Sequence, residues 1–168
     1  MVKLNVKELT ISALAAAVVC VATMVIQIPI PLGYMHLGNC CILLISVYFG
    51  NPVGMLAGGI GSALADLLTG YPQWVLPTLL IKSFMGYAVA RISQQDGQRD
   101  GVRRIRTCVG AAFGIVIMVS GYTFSGCILY GSVAAGLAQV PGLTLEGVIG
   151  FALFYAVSFV WSGFRVRS

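Results

Sequence analysis

LTISALAAAVVCVATMVIQIPIPLGYMHLGNCCILLISVYFGNPVGMLAGGIGSALA, residues 9–65, contains no Asp, Glu, Lys or Arg. A hydrocarbon core about 30 Å thick is crossed by roughly 20 apolar residues of helix. These 57 uncharged residues therefore hold more than one crossing. A second uncharged stretch, 107–145, carries the same implication for the other half of the chain. Overall 58% of the 168 residues are hydrophobic and 9% charged, whereas a soluble domain carries about 25% charged residues. A water-facing surface cannot be assembled from so few charges, and the fold class expected is an all-α, multi-pass membrane protein.

Prolines and glycines divide the apolar runs into six expected helices: 9–28, 39–49, 52–68, 74–91, 107–129 and 144–163. Pro29 and Pro31 end the first, because proline lacks a backbone donor and restricts the residue before it. Gly50-Asn51 stops the second, which is short, and Pro52 suits the first turn of the third. Thr69-Gly70-Tyr71-Pro72 reads as a turn. Pro77 is expected to kink the fourth helix. Residues 93–106 read as a hydrophilic loop and 130–142 as a less regular connection closed by Pro141-Gly142. The first apolar segment follows Lys3 and Lys7, yet it is long and lacks a small-residue cleavage site, so it reads as a retained helix and the whole chain as one membrane domain.

Orientation follows from the basic residues, which favour the cytoplasmic side. Lys3 and Lys7 precede the first helix; Arg91, Arg99, Arg103, Arg104 and Arg106 flank the middle loop; Arg165 and Arg167 follow the last helix. Even numbers of crossings separate these clusters, so both termini are expected in the cytoplasm. The opposite, outward loops are then 32–38, 69–73 and 130–143, which hold Tyr34, His36, Tyr71 and Tyr130, with Trp74 at an edge. The net charge of +5 does not indicate nucleic acid, because the arginines lie in short clusters without interleaved aromatics. Cys20, Cys40, Cys41, Cys108 and Cys127 have no zinc-like spacing and read as small packing residues.

Ionisable groups inside a membrane are costly enough to be functional candidates. Asp66, near the outer end of the third helix, and Lys82, about two turns into the fourth, are two such groups, either as a ligand contact or as an ion pair tying the helices together. Glu146 opens the sixth helix, where its carboxylate would complement the helix dipole; its outward position also makes it a candidate contact. Outward aromatics suit a pocket for a flat polar ring, although interfacial belts enrich the same residues. A lone histidine, His36, does not make a metal site. No Ser/His/Asp set, paired catalytic carboxylate, metal motif or Gly-Lys-Ser/Thr phosphate loop is present, so no catalysis, metal or cofactor is expected. Ala13 and Ala17 form a small-residue stripe that lets another helix approach closely. Gly54 with Gly58, and Gly110 with Gly114, repeat that spacing and are expected to pack inside the bundle.

Tyr34-Met35-His36-Leu37-Gly38-Asn39, then Gly58-Gly59-Ile60-Gly61-Ser62-Ala63-Leu64-Ala65-Asp66-Leu67-Leu68-Thr69-Gly70-Tyr71-Pro72, then Pro77-Thr78-Leu79 with Ile81-Lys82 and Met85-Gly86, resemble the substrate-binding S component of energy-coupling factor (ECF) vitamin transporters. The nearest branch is that of riboflavin, hydroxymethylpyrimidine and pyridoxine carriers, with a fainter likeness at Gly121-Tyr122 and Ile128-Leu129-Tyr130-Gly131. The resemblance implies a vitamin site near the outer surface, drawn here from Tyr34, His36, Asn39, Asp66, Tyr71, Trp74, Lys82, Tyr122 and Glu146. It also implies docking, through the stripe of Ala13 and Ala17, on a membrane coupling subunit driven by two ATPase subunits, which use the ATP. Residence in the bacterial plasma membrane would follow. Two positions depart from the family pattern: Asn39 stands where an acid is expected, and Glu146 where an amide is frequent. Pyridoxine or hydroxymethylpyrimidine suits these residues better than a carboxylated vitamin does, with riboflavin also open. The competing readings are a self-sufficient secondary carrier or channel, which the lack of an inverted repeat disfavours, and an intramembrane enzyme.

Overall fold

The computed structural model describes residues 5–25, 27–30, 33–94 and 105–165, with side chains excepted at 30, 33–35 and 161–165. Along the chain run α1 (Val6–Val25), β1 (Gln27–Ile30), β2 (Gly33–His36), α2 (Gly38–Phe49) and α3 (Val53–Leu68). A single 3-10 turn (Pro72–Trp74) leads into α4 (Val75–Ser93), followed by α5 (Ile105–Leu129), α6 (Val133–Ala138) and α7 (Val140–Arg165). Six of these helices make the bundle, and α6 is a short piece between α5 and α7. Among the described residues, four spans, α1, Pro72–Ser93, α5 and Val133–Val160, are long and apolar enough to cross a membrane, while α2 and α3 are shorter apolar helices. At 1.5 Å per residue α2 reaches only about 18 Å, which bears out the expectation of a short second helix.

The surface is inside out for a soluble protein. Leu14, Val18, Leu67, Leu76, Leu80, Phe84, Val116, Phe124, Ile128 and Val148 are all exposed. Apolar side chains in such numbers on the outside are stable only where the solvent is hydrocarbon. The interior, by contrast, holds Asn39, Asp66, Lys82 and Glu146.

Glycines bring the helices close enough to create that interior. A methyl group on Gly86 of α4 would run into the backbone carbonyl oxygen of Gly54 in α3, and one on Gly58 would stand 2.9 Å from the carbonyl oxygen of Lys82. Along α5, Gly110 faces Ile92 and Ser93, Gly114 faces Val89 and Met85, and Gly121 faces Ile81. Both expected glycine pairs therefore pack within the bundle, and α5 runs antiparallel to α4. That arrangement puts Arg91, in the last turn of α4, and Arg106, in the first turn of α5, at one end. Lys3, Arg99, Arg103, Arg104 and Arg167 lie outside the described residues, as does the side chain of Arg165.

Three features differ in substance from the sequence reading. The first helix stops at Val25 instead of residue 28, and the chain enters an antiparallel hairpin in which Gln27 faces His36 and Pro29 faces Tyr34. A two-stranded hairpin has only edge strands, so Pro29 costs no interior ladder bond. Pro77 is the third residue of α4, where an N–H has no intrahelical partner to lose, so the expected mid-helix kink has no cause. Pro141 is the second residue of α7 and opens that helix instead of closing a loop. Within the expected irregular connection, Ser132 caps α6 by accepting from the Ala135 N–H.

The close approach of α3 and α4 predicts that Gly86→Ala lowers the stability of the purified protein by about 1–3 kcal/mol through overpacking. Ala13→Ser, on the exposed face of α1, serves as the control. Thermal unfolding in detergent is the measurement; an unchanged midpoint for Gly86→Ala would contradict the packing.

Candidate binding site

The 3-10 turn and α4 carry Trp74, Thr78 and Lys82 at intervals of four, one helical face that points into the bundle; all three are buried. Lys82 is withdrawn completely from the surface. An ammonium carries three donors and no acceptor, and burying it is costly unless those donors are met. Its Nζ donates to Asn39 Oδ1 and, at 3.3 Å, to the Met118 sulfur, and lies 5.4 Å from the centre of the Tyr122 ring.

Asn39, in the first turn of α2, bridges the cation to an anion. Its Nδ2 donates to Glu146 Oε1 at 2.7 Å and to the Met118 sulfur at 3.1 Å. A charged partner on each side of the amide fixes which end is oxygen and which is nitrogen. His36 closes the other side of Glu146, with Nε2 3.4 Å from the same Oε1. Its Nδ1 accepts from the Gly38 N–H at 3.1 Å, which leaves the ring proton on Nε2, toward the carboxylate. His36 stands on the hairpin, outside the spanning helices. Burial, reinforced by the positive charge of Lys82, pushes it well below the ordinary histidine range and keeps it neutral. Asp66, buried at the end of α3, is close enough for its charge to act on Lys82 and Glu146.

An aromatic wall continues the network outward. Tyr122 Oη donates to Thr78 Oγ1 at 2.9 Å, the Trp74 ring lies 5.6 Å from that of Tyr122, and Tyr130 lies 6.2 Å from Trp74. The Trp74 indole N–H is buried without an acceptor among the described residues, and a buried donor left in that state costs stability.

Of the expected site residues, His36, Asn39, Trp74, Lys82, Tyr122 and Glu146 thus form one chain of contacts, with Asp66 coupled through its charge. Tyr71 is half-buried at the turn, where its carbonyl accepts from the Trp74 N–H at 2.9 Å. Tyr34 is on β2, and its side chain lies outside the described residues. Capping does not explain Glu146: α7 begins at Val140, so the carboxylate is in the second turn, turned inward to Asn39. Met118 and Thr78 were not foreseen. Thr78 was readable from its spacing of four to both Trp74 and Lys82; Met118, a lone thioether in an apolar helix, carried no signal beyond its spacing of four from Tyr122.

Comparison of the sequence settles the family. Residues 3–162 match the family described as ECF-type riboflavin transporter, S component. The chain belongs to this family of ECF-transporter S components. Among its relatives is a Pyrococcus woesei protein known as "Uncharacterized protein in gap 3'region", 38% identical over 144 residues, covering 80% of this chain and 93% of the relative. Another is the thiamine precursor transporter HmpT of Lactococcus lactis, 28% identical over 160 residues, covering 92% of this chain and 87% of the relative. A solved S component of a bacterial ECF transporter shares the fold at a TM-score of 0.73 and 18% identity, over 95% of this chain and 97% of that one. The six-helix membrane bundle is therefore the S-component fold, and the protein is a multi-pass subunit of the cell membrane in a transporter family, not an enzyme family.

Asn39 and Glu146 are hydrogen-bonded to each other. Exchanging amide and acid across this one contact should therefore be compensating. Asn39→Asp and Glu146→Gln are each expected to lower thermal stability, and the double variant to recover most of the loss. A double-mutant cycle should give a coupling energy of about 1–3 kcal/mol; additive losses would contradict the pairing.

Proposed function

We propose that this S component captures a compact, hydroxylated aromatic vitamin or vitamin precursor, pyridoxine or hydroxymethylpyrimidine, and delivers it inward only when docked on its transporter partners. One observation carries the reading: donors and acceptors of both kinds, Lys82, Asn39 and Glu146, are buried in a row beside the rings of Tyr122 and Trp74. A heterocycle with ring nitrogens, an amino or hydroxyl donor and a flat face matches such a row, the rings supplying contact area and the polar groups orientation.

Charge narrows the class. Asp66 and Glu146 put two acidic side chains beside the one amine of Lys82 in the buried row, a balance that suits an uncharged ligand better than a carboxylated one. The similarity to a thiamine precursor transporter over most of both chains supports the pyrimidine. Riboflavin, larger than either candidate, is the competing outcome of the binding test.

Docking is assigned to α1. Ala13 and Ala17 are exposed on one face, whereas Ala15 and Ala16 are buried on the other. The open small-residue stripe suits close approach by a helix of the coupling subunit. The two ATPase subunits supply the energy, so the chain needs no cofactor of its own. Both termini are assigned to the cytoplasm from the basic residues.

Native mass spectrometry of the purified protein, followed by fluorescence titration of a Trp161→Phe variant that keeps Trp74 as reporter, tests the ligand. Saturable quenching by pyridoxine or hydroxymethylpyrimidine is expected, weakened at least about tenfold in Lys82→Met, since a hydrogen bond to a charged group is worth about 1.5–3 kcal/mol. Binding of none of these, nor of thiamine or riboflavin, would overturn the proposal. In cells with the coupling module, Ala13→Leu combined with Ala17→Leu should abolish uptake and leave binding intact; unchanged uptake would remove the stripe from docking.

A further inference from the structure

Resting on the binding site proposed above, we infer that Met118 is the side chain a ligand displaces, its sulfur standing in for an acceptor atom that the ligand brings.

The groups that would hold a ligand are themselves packed together. Asn39, Lys82 and Met118 have no exposed surface, and Trp74, Thr78 and Glu146 have almost none. A ligand that reaches Lys82 must move one of their neighbours, and the candidates differ in what holds them. Asn39 is clamped between a cation and an anion. Tyr122 is tied by its hydroxyl to Thr78, and its stiff ring lies tilted against Trp74. Met118 is different: it is held through a thioether, a weak acceptor, on an unbranched chain with three free torsions.

That weak acceptor faces two strong donors. Lys82 Nζ stands 3.3 Å from the sulfur and Asn39 Nδ2 3.1 Å from it. Among the described residues, the ammonium's hydrogen bond to a strong acceptor is the one to Asn39 Oδ1; its other direct contacts are a sulfur and the face of a ring, with Asp66 and Glu146 acting through their fields. A buried charge so modestly satisfied gains from a nitrogen or oxygen acceptor. The spare N–H of Trp74 is a second donor for the same ligand, at the aromatic end of the row. The ligand class implied has at least one uncharged acceptor, a ring nitrogen or hydroxyl oxygen, that reaches Lys82 and Asn39 together.

Two substitutions separate displacement from packing. Met118→Leu keeps the volume and removes the acceptor, so it weakens the ligand-free state while the bound state loses little. Met118→Gln supplies a better acceptor that competes with the ligand. With hydroxymethylpyrimidine and pyridoxine as probes, calorimetric titration should show Met118→Leu binding about three- to tenfold tighter than the unmodified protein and Met118→Gln weaker by a similar factor, within the tenfold that corresponds to about 1.4 kcal/mol. Selenium NMR of selenomethionine-labelled protein should show the residue-118 resonance, assigned by its loss in Met118→Leu, move when ligand is added. Equal affinity in all three proteins, or a resonance that ligand leaves unmoved, overturns the inference. Weaker binding by Met118→Leu would make the sulfur a direct ligand contact and overturns it as well. If none of the three proteins binds either probe, the substrate reading fails, and the inference falls with it.

Discussion

An ammonium group with no access to water sits at the centre of this bundle, and the rest of the structure is arranged around keeping it there. Lys82 is fully buried, and each of its neighbours answers part of the cost: Asn39 through its carbonyl, Met118 through its sulfur, Tyr122 through its ring, Asp66 and Glu146 through their fields. Replacing such a network with apolar residues is frequently neutral or stabilising, so stability alone does not account for it. A membrane protein that keeps a buried cation, an amide and two acids beside three aromatic rings has the means to recognise a polar ring and hold it out of water.

Backbone proximity makes the network reachable. The α3 and α4 helices approach to backbone contact because glycine stands at 54, 58 and 86, and α5 approaches α4 through glycine at 110, 114 and 121. Larger residues would push the helices apart and separate Met118 and Tyr122, on α5, from Lys82, on α4. The hairpin after α1 has a matching role. It places His36 against Glu146, and with the register Gln27 opposite His36 it ends where α2 begins, so that Asn39 enters the core in the first turn of that helix.

Much of this was legible in the sequence because it depends on composition and spacing. The absence of charge between Glu8 and Asp66 required a multi-pass membrane protein, and Lys82 stood out as an ionisable residue within an apolar helix. The hairpin was hidden because residues 25–32 are as apolar as the helix before them, so hydrophobicity carried the reading past Val25. The β-branched residues at 25, 26, 28 and 30 favour a strand, and proline at 29 limits it to an edge. Glu146, also a candidate contact, was set at the start of its helix because Pro141-Gly142 looks like a loop, and a proline in the first turn of a helix looks the same in sequence. The pairing of Asn39 with Glu146 is a contact between residues 107 positions apart, which no local pattern encodes. Met118 was out of reach for the same reason, since its importance lies in the two donors that point at it.

We propose that the ligand sits on the row of Lys82, Asn39 and Glu146, beside Trp74. The most direct measurement is a crystal structure of this chain with hydroxymethylpyrimidine or pyridoxine bound. The account predicts the ring against Trp74 and Tyr122, with a ligand acceptor within hydrogen-bonding distance of Lys82 Nζ and a ligand donor at the Glu146 carboxylate. A ligand seated elsewhere, with Lys82 still wholly enclosed by its own side-chain partners, would contradict it.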